Sequence, residues 1–352
     1  MVSKVKQPLV SIVIPNYNSK QLIESCLSSL FSLKYKNIEV VLVDDGSDDG
    51  CLNIVKQKFA KEKRLKIIRG KKNLGPSIRR NQGIKKAKGN YIAFFESDMQ
   101  ADSNWISYMI RAFEKNPDIG AAHGRVLDLD KKSIVAADGL FLIPHTGWVV
   151  SRNYGKPVVK AKAPQQDVLI GSVGTMVKKD ILEKIGGYDE KLGHKVDDLD
   201  MGWKIWITGH RTISVANAIT YHWNCKSTEN RPIPSSIAEY YFNKMPRVFI
   251  KNYEFFNIVR YLPWLVFLLG IRALRHVVFN FNFNPFFGYI RAMVWTVSSL
   301  PDTLKERKKI QSIRVYSDNY IMDKIMVKGT FAQIWQKYVI PTHKVANTVF
   351  SK

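Results

Sequence analysis

Two carboxylates one residue apart, Glu96 and Asp98, follow a short apolar run at 91–95 that Gly89 and Asn90 bound on its upstream side. Alternate residues of an extended segment point the same way, so both carboxylates can converge on one hard cation. Standing alone, a Glu-x-Asp is commonly two solvated charges in a loop. Here it is one of several acidic clusters. Asp44 and Asp45 close another apolar run, Asp197, Asp198 and Asp200 open an amphipathic one, and His222 follows a third. The chemistry such residues suit is the binding of a hard divalent cation.

These residues need elements to position them. Residues 9–14 are apolar and mostly β-branched and end at Pro15-Asn16-Tyr17-Asn18, a strand closed by a turn. Ser19 is placed to cap a helix through about Leu33, with Leu22, Ile23, Cys26, Leu27 and Leu30 at helical spacing. A second strand at 38–43 ends in Asp44-Asp45-Gly46-Ser47 and leads into a helix reaching Phe59. A third strand spans 65–68. The loop Asn73-Leu74-Gly75-Pro76 opens a helix through Arg80 and Asn81 to about Ala87, with Pro76 suited to a first turn. The run at 91–95 is then a buried strand. This alternation argues for parallel strands joined by crossovers. Every polar cluster falls at a strand's carboxyl end, where open α/β sheets bind ligands, and a nucleotide-sized pocket is expected there. Asp44-Asp45-Gly46-Ser47 also reads as an ordinary turn with a helix cap. Two other nucleotide folds are excluded. No Gly-x-Gly-x-x-Gly follows the first strand, and no Gly-Lys-Ser or Gly-Lys-Thr loop occurs.

Pro15-Asn16-Tyr17-Asn18, Val43-Asp44-Asp45-Gly46-Ser47, Asn73-x-Gly75 with Arg80-Asn81, and Glu96-x-Asp98, in this order, resemble the donor half of family 2 glycosyltransferases. The resemblance implies a GT-A fold and inverting transfer from a nucleotide-sugar donor. It implies donor-binding roles for Pro15, Tyr17, Asp44, Asp45, Asn73, Arg80, Glu96 and Ser97. Tyr17 and Asp44 would contact the base, Asp45 the base or ribose, and Arg80 the base or phosphates. Asp98 would bind a divalent cation, Mn²⁺ or Mg²⁺. Glu96 departs from the family's more frequent Asp and reaches one methylene further.

A helix is expected over 102–116, ended by Pro117, and strands over 119–129 and 133–135. Residues 141–162, with His145, Trp148 and Tyr154, suit an acceptor-site loop or a plain surface segment. Residues 168–177 are small and apolar, with Gly171 and Gly174 allowing close backbone approach. A helix at 179–185 leads to a turn, Gly186-Gly187-Tyr188-Asp189-Glu190. A further helix opens at Asp197-Asp198 and stops at Gly209. The helix dipole favours acidic residues at such a start. This pattern resembles the family's acceptor half, with Asp197-Asp198 in place of its usual Glu-Asp. The resemblance puts the general base on Asp198, and one base with one displacement gives inversion. Asp200 is expected to support the helix start. The resemblance also implies a metal or diphosphate contact for His222, with weaker help from Ser227.

The chain has 352 residues, 45% of them hydrophobic, and a net charge of +24. That suffices for a large catalytic domain, 1–226, and an extension, 227–352. The polar, basic start and the short run at 9–15 suggest no secretory leader. Cys26, Cys51 and Cys225 show no metal or disulfide spacing, which suits a reducing cytoplasmic setting. From residue 226 onward, 19 Lys and Arg stand against 7 Asp and Glu, half of the excess charge. There, basic residues flank aromatic runs at 261–271, broken by Pro263, and at 277–289 and 292–300. None reaches the ~18–20 uninterrupted apolar residues of a spanning helix. Peripheral or monotopic attachment to the anionic cytoplasmic face of the cell membrane is expected; a helical subdomain packed on the core is the plain alternative.

The sequence therefore reads as an α/β chain with a GT-A, Rossmann-like, mostly parallel sheet and a helical membrane-associated extension. Its expected partners are a nucleotide-sugar and a glycan or polyprenyl-linked acceptor, with no nucleic acid. Two alternatives stand beside it: a polyprenyl-phosphate glycosyl transferase, and a basic nucleic-acid-binding protein that would leave the acidic clusters unexplained. A processive polysaccharide synthase is not expected, because no Gln-x-x-Arg-Trp follows His222.

Overall fold

The computed structural model describes residues 7–144, 146–161, 166–170, 173–193, 196–223 and 244–326. Gly171, Ser227 and the His145 side chain, singled out above, lie outside them.

Strand β1, Val10–Asn16, lies at the centre of the catalytic sheet. After α1, Ile23–Phe31, comes β2, Ile38–Asp44, every residue of which is buried. Helix α2, Cys51–Lys58, leads to β3, Leu65–Arg69, and α3, Pro76–Lys86, to β4, Tyr91–Phe94. β1 pairs in parallel with both β2 and β4, and β2 with β3. The order β3-β2-β1-β4 reverses direction at β1, and such a switch point opens a crevice at the strands' carboxyl ends. Alternation divides the side chains. Ile12, Ile14, Val40, Leu42 and Ala93 face one core, with α1 and α2. Val13, Val41, Val43, Ile92 and Phe94 face the other. A Cβ at Gly83 would lie 2.3 Å from Val13, so glycine is what lets α3 lie close on β1.

The sheet continues beyond β4. β5, Met99–Ala101, is followed by α4, Trp105–Lys115, and β6, Ile119–Asp128. β7, Val135–Ala137, pairs with β6, while β8, Leu140–Ile143, and β9, Trp148–Ser151, form a separate hairpin. β10 is Gln166–Asp167, and β11, Thr175–Lys178, is antiparallel to both β4 and β6. α5, Lys179–Lys184, and α6, Asp197–Ile207, precede β12, Arg211–His222, which is parallel to β6.

Within residues 244–326 the C-terminal extension is helical: α7, Met245–Asn252; α8, Phe255–Asn280; α9, Asn284–Ser298; α10, Leu300–Ser312; α11, Asp318–Ile325. Val248, Phe249, Tyr253, Leu265, Ile310 and Ile321 join Trp203 and Trp206 of α6 in one continuous core. Each large apolar side chain buried there contributes roughly 1.5–3 kcal/mol. The extension and the catalytic sheet thus share a core.

Several local expectations need correction. Ser19 does not cap α1 through its side chain; its hydroxyl donates to Asn16 Oδ1, and the helix starts at Ile23. α4 starts at Trp105, because residues 102–104 form a turn in which Asp102 accepts from the Asn104 and Trp105 N–H groups. Pro263 does not break the extension's first apolar run. It sits inside the 26-residue α8, where burial of Tyr261, Leu265, Leu268 and Leu269 outweighs one lost backbone bond. Over Phe255–Phe279 this helix is long and apolar enough to cross a membrane, at a mean hydropathy of 1.6. Left-handed Phe281 ends it.

Candidate active site

The crevice at the carboxyl ends of β1, β2 and β4 is a cavity of about 340 Å³. Pro15, Tyr17, Asp45, Asn73, Glu96, Ser97 and Asp98 line it. A larger cleft, of about 770 Å³, lies where α3 and α5 meet α10. Among the described residues, the metal-ligating groups that converge are Glu96, Asp98 and His222, two of which line the smaller cavity, and that cavity is the candidate site.

The sheet assembles one wall of the site. β5 begins directly after Asp98, and its antiparallel pairing sets Met99 against His222. The Trp223 N–H donates to the Asp98 carbonyl at 3.1 Å. As a result His222 Nε2 lies 3.2 Å from Asp98 Oδ1 and 3.6 Å from Glu96 Oε2. One ligand atom from each of Glu96, Asp98 and His222 lies within 4.8 Å of the others. Asp98 Oδ1 and His222 Nε2 are both buried with no hydrogen-bonding partner of good geometry. Burial opposes charge on the imidazole, but the Asp98 and Glu96 carboxylates outweigh it and raise His222 to about 10. Two oxygen donors, one nitrogen donor and this negative field fit a divalent cation.

The base-side loops are braced from within. Asp44 is wholly buried. It accepts from Asn16 Nδ2 at 2.9 Å, from Ser47 Oγ at 2.6 Å, and from the Gly46 and Ser47 N–H groups. Its carboxylate shapes the turn that Gly46 closes rather than facing the cavity. Asp45 accepts from the Leu74 and Gly75 N–H groups at 2.7 and 2.8 Å and pairs with Arg79 Nε at 2.6 Å. Tyr17 stands 45% exposed at the rim, an open aromatic face that a base could stack on.

Arg80, expected at the base or phosphates, is instead 2% exposed. Its guanidinium reaches Asp197 at 2.8 Å and Glu96 at 2.9 Å and lies over the Tyr188 ring. It therefore joins the two halves of the site. Asn81 does the same: its amide brackets Tyr188, donating to the carbonyl and accepting from the N–H, both at 2.9 Å. Gly187, at φ +68°, turns the chain there, and a Cβ would strike Asn81.

Asp198 lies in the first turn of α6, partly accessible, with the Tyr188 hydroxyl donating to it at 3.5 Å. Burial first, then the neighbouring Asp197, raises its carboxyl well above the usual range, with Arg80 opposing. A carboxylate so placed is a strong proton acceptor once ionised. Asp200 supports α6, as expected, by ion pairs with Lys251 at 2.9 Å and Lys204 at 3.3 Å.

Sequence reading singled out the turn that holds Tyr188 and Asp189 without giving either a role, and it missed Arg79, Lys204, Arg247 and Lys251. The last two carried a signal: two basic residues at i and i+4 in an otherwise apolar helix require acidic partners if that face is buried. The 141–162 segment pairs as β8–β9, and its connecting turn is fastened to the extension, since the Tyr253 hydroxyl donates to the Pro144 carbonyl at 2.8 Å.

Comparison with known proteins bears on the family and the fold. The chain is 28% identical over 200 residues to a poly-beta-1,6-N-acetyl-D-glucosamine synthase of Staphylococcus epidermidis, covering 56% of this chain and 45% of that protein. It is 39% identical over 94 residues to an uncharacterized glycosyltransferase of Haemophilus influenzae, covering 27% and 38%. The chain thus spans less than half the length of these relatives. Among solved structures, S. aureus TarS 1-349 superposes with a TM-score of 0.52 at 18% identity, covering 86% of this chain and 88% of that one. GalNAc-T7, crystallised with UDP, GalNAc and Mn²⁺, gives 0.54 at 15% identity, covering 69% and 51%. These likenesses establish the GT-A-like fold. Residues 11–185 match the family model described as Glycosyl transferase family 2, and the chain belongs to that family.

Proposed function

We propose that the chain transfers a sugar, with inversion, from a nucleoside-diphosphate sugar to a hydroxyl of a glycan or lipid-linked glycan at the cytoplasmic membrane face. The observation that carries this reading is the convergence of Glu96, Asp98 and His222 at the mouth of a cavity lined by Tyr17 and Asp45. Tyr17 stacks on the base. Ser97 and Asn73 line the path of the ribose and diphosphate. Glu96, Asp98 and His222 would hold Mn²⁺ or Mg²⁺, which when bound supplies positive charge to the departing diphosphate. The acceptor oxygen attacks the anomeric carbon as the carbon–oxygen bond to the diphosphate breaks, and Asp198 takes the hydroxyl proton. Arg80 fixes Asp197 and Glu96, and so the spacing between base and leaving-group sites.

The catalytic domain is taken as 1–226 and the extension as 227–352; the boundary itself lies outside the described residues. Phe256, Val259, Phe267, Leu274 and Val278 are exposed at helical spacing along α8, as are Phe283, Phe287, Ile290, Val294 and Val297 along α9. With Arg260, Arg272, Arg275 and Arg291 nearby in sequence, this surface suits an anionic lipid interface. The names of the relative and of the solved neighbour make UDP-N-acetylglucosamine the first donor to test. A panel of nucleotide-sugars scored for nucleoside-diphosphate release, with NMR of the product anomer, tests the reading. Release with inverted product supports it; retained configuration rules out a single displacement on Asp198.

A further inference from the structure

We propose that Lys251 of the C-terminal extension is a positioning residue for Asp198, so that the extension completes the active site rather than serving only as an anchor. This inference rests on the reading of Asp198 as general base.

Two elements meet at Asp198: the first turn of α6, which carries it, and the Gly186–Tyr188 turn, whose tyrosine hydroxyl points at it. Each is gripped by α7 of the extension. Residues two apart on a helix point in different directions, so Asp200 projects away from Asp198, towards the extension. Asp200 is fully buried. Asp189 directly follows Tyr188. The Lys251 ammonium lies between these carboxylates, 2.5 Å from Asp189 and 2.9 Å from Asp200. It is 2% exposed. One buried charge thus sets the separation of helix and turn.

The neighbouring contacts reinforce that role. Asn252 donates to Asp200 at 2.9 Å, and Arg247 pairs with Asp189 at 2.8 Å and with Asp302 of α10 at 2.8 Å. Lys204 of α6 donates to the Gly187 carbonyl at 2.6 Å. Four cations (Lys191, Lys204, Arg247, Lys251) face three carboxylates (Asp189, Asp200, Asp302). Such a cluster is rigid while complete, and breaking it exposes a buried charge. α7 is itself held by α10, through Gln311 to the Lys251 carbonyl and Arg307 to the Ile250 carbonyl. Without Lys251, Asp189 retains Arg247, and Asp200 retains Lys204 and Asn252. Removal therefore loosens the spacing while leaving each carboxylate a partner.

The test uses the full-length chain with Lys251→Met, Asp189→Asn and their combination, and Lys309→Met as a surface control. Two quantities are read on folded protein. One is the titration of the Asp198 carboxyl by ¹³C NMR, assigned by its loss in Asp198→Asn. The other is kcat and KM for UDP release from UDP-N-acetylglucosamine, with UDP–Mn²⁺ affinity measured separately. Either single change is expected to displace the Asp198 midpoint and lower kcat roughly tenfold, as small misplacements of catalytic groups do, with nucleotide affinity held. The double variant should add little, because both changes cut one bridge. Wild-type titration and kcat in both single variants, or full additivity in the double, overturns the proposal. If Asp198→Asn leaves the rate intact, it is the base assignment that falls. The NMR arm still reads positioning where UDP-N-acetylglucosamine proves not to be a donor.

Discussion

Arg80 meets Asp197 at 2.8 Å with both side chains almost wholly buried, and this pair ties the donor half of the site to the acceptor half. The same guanidinium holds Glu96 at 2.9 Å. Arg80→Ala would leave Asp197 without its charged partner inside the protein. Breaking a buried pair from one side costs about 3–5 kcal/mol. We expect a drop of that order in urea unfolding. Arg80→Lys should recover only part of it, because a point charge cannot span both carboxylates. Equal stability of all three proteins would show that the fork is dispensable.

Asp198→Asn should lower turnover by roughly 10²–10⁴ while leaving UDP–Mn²⁺ binding unchanged. A near-silent substitution would instead favour a polyprenyl-phosphate acceptor, whose nucleophile needs no base. The pH dependence has a definite sign. The Asp198 carboxyl is raised, chiefly by burial and then by Asp197, and only its ionised form accepts a proton. The acidic limb of kcat/KM should therefore lie above the ~3.9 of an ordinary aspartate, with activity climbing as pH rises through it. A limb at the ordinary value would contradict this.

His222→Ala should weaken Mn²⁺-dependent nucleotide binding by more than the roughly 10–100-fold typical of losing an outer-shell partner. Binding without the metal should change little. Isothermal titration at fixed nucleotide and varied Mn²⁺ measures the difference.

Asp189 is held well below the ordinary carboxylate range: burial would raise it, but Lys251 and Arg247 more than offset that. A depressed folded-state value contributes stability above the unfolded pKa of ~3.9, and that stability is lost as pH falls below it. Wild-type protein should lose stability from about pH 5 downwards and go on losing it below about pH 3, where the folded-state carboxyl titrates, and Lys251→Met should lose less, the difference opening at the acidic end. Parallel pH profiles from urea melts would refute the linkage.

Phe256 and Phe281 are each 85% exposed on the extension. Replacing both by Asp should weaken sedimentation with vesicles containing phosphatidylglycerol while sparing nucleotide binding. Unchanged sedimentation would remove α8 and α9 from the lipid contact.

Much of this site was legible in the sequence, for a physical reason. Asn16, Asp44, Asp45, Glu96 and Asp98 each end a locally coded strand, and one sheet edge gathers strand ends. Less legible was which way a side chain points. Asp44 and Arg80 sit in the expected motifs, yet their charges serve the loop and the half-to-half junction. β5 has three residues, too short for periodicity, although its pairing is what brings His222 to Asp98. Pro263 argued against a helix that tertiary burial sustains. The Lys251–Asp189 bridge joins residues far apart in the chain, and only the folded core reveals it.

The most direct test of the donor site is calorimetric titration of the purified protein with UDP, GDP and dTDP, with and without Mn²⁺, repeated on Asp98→Asn. The account predicts Mn²⁺-dependent binding of one nucleotide, strongly weakened in the variant. Folded protein that binds none of them, or binds one equally well in Asp98→Asn, would contradict it.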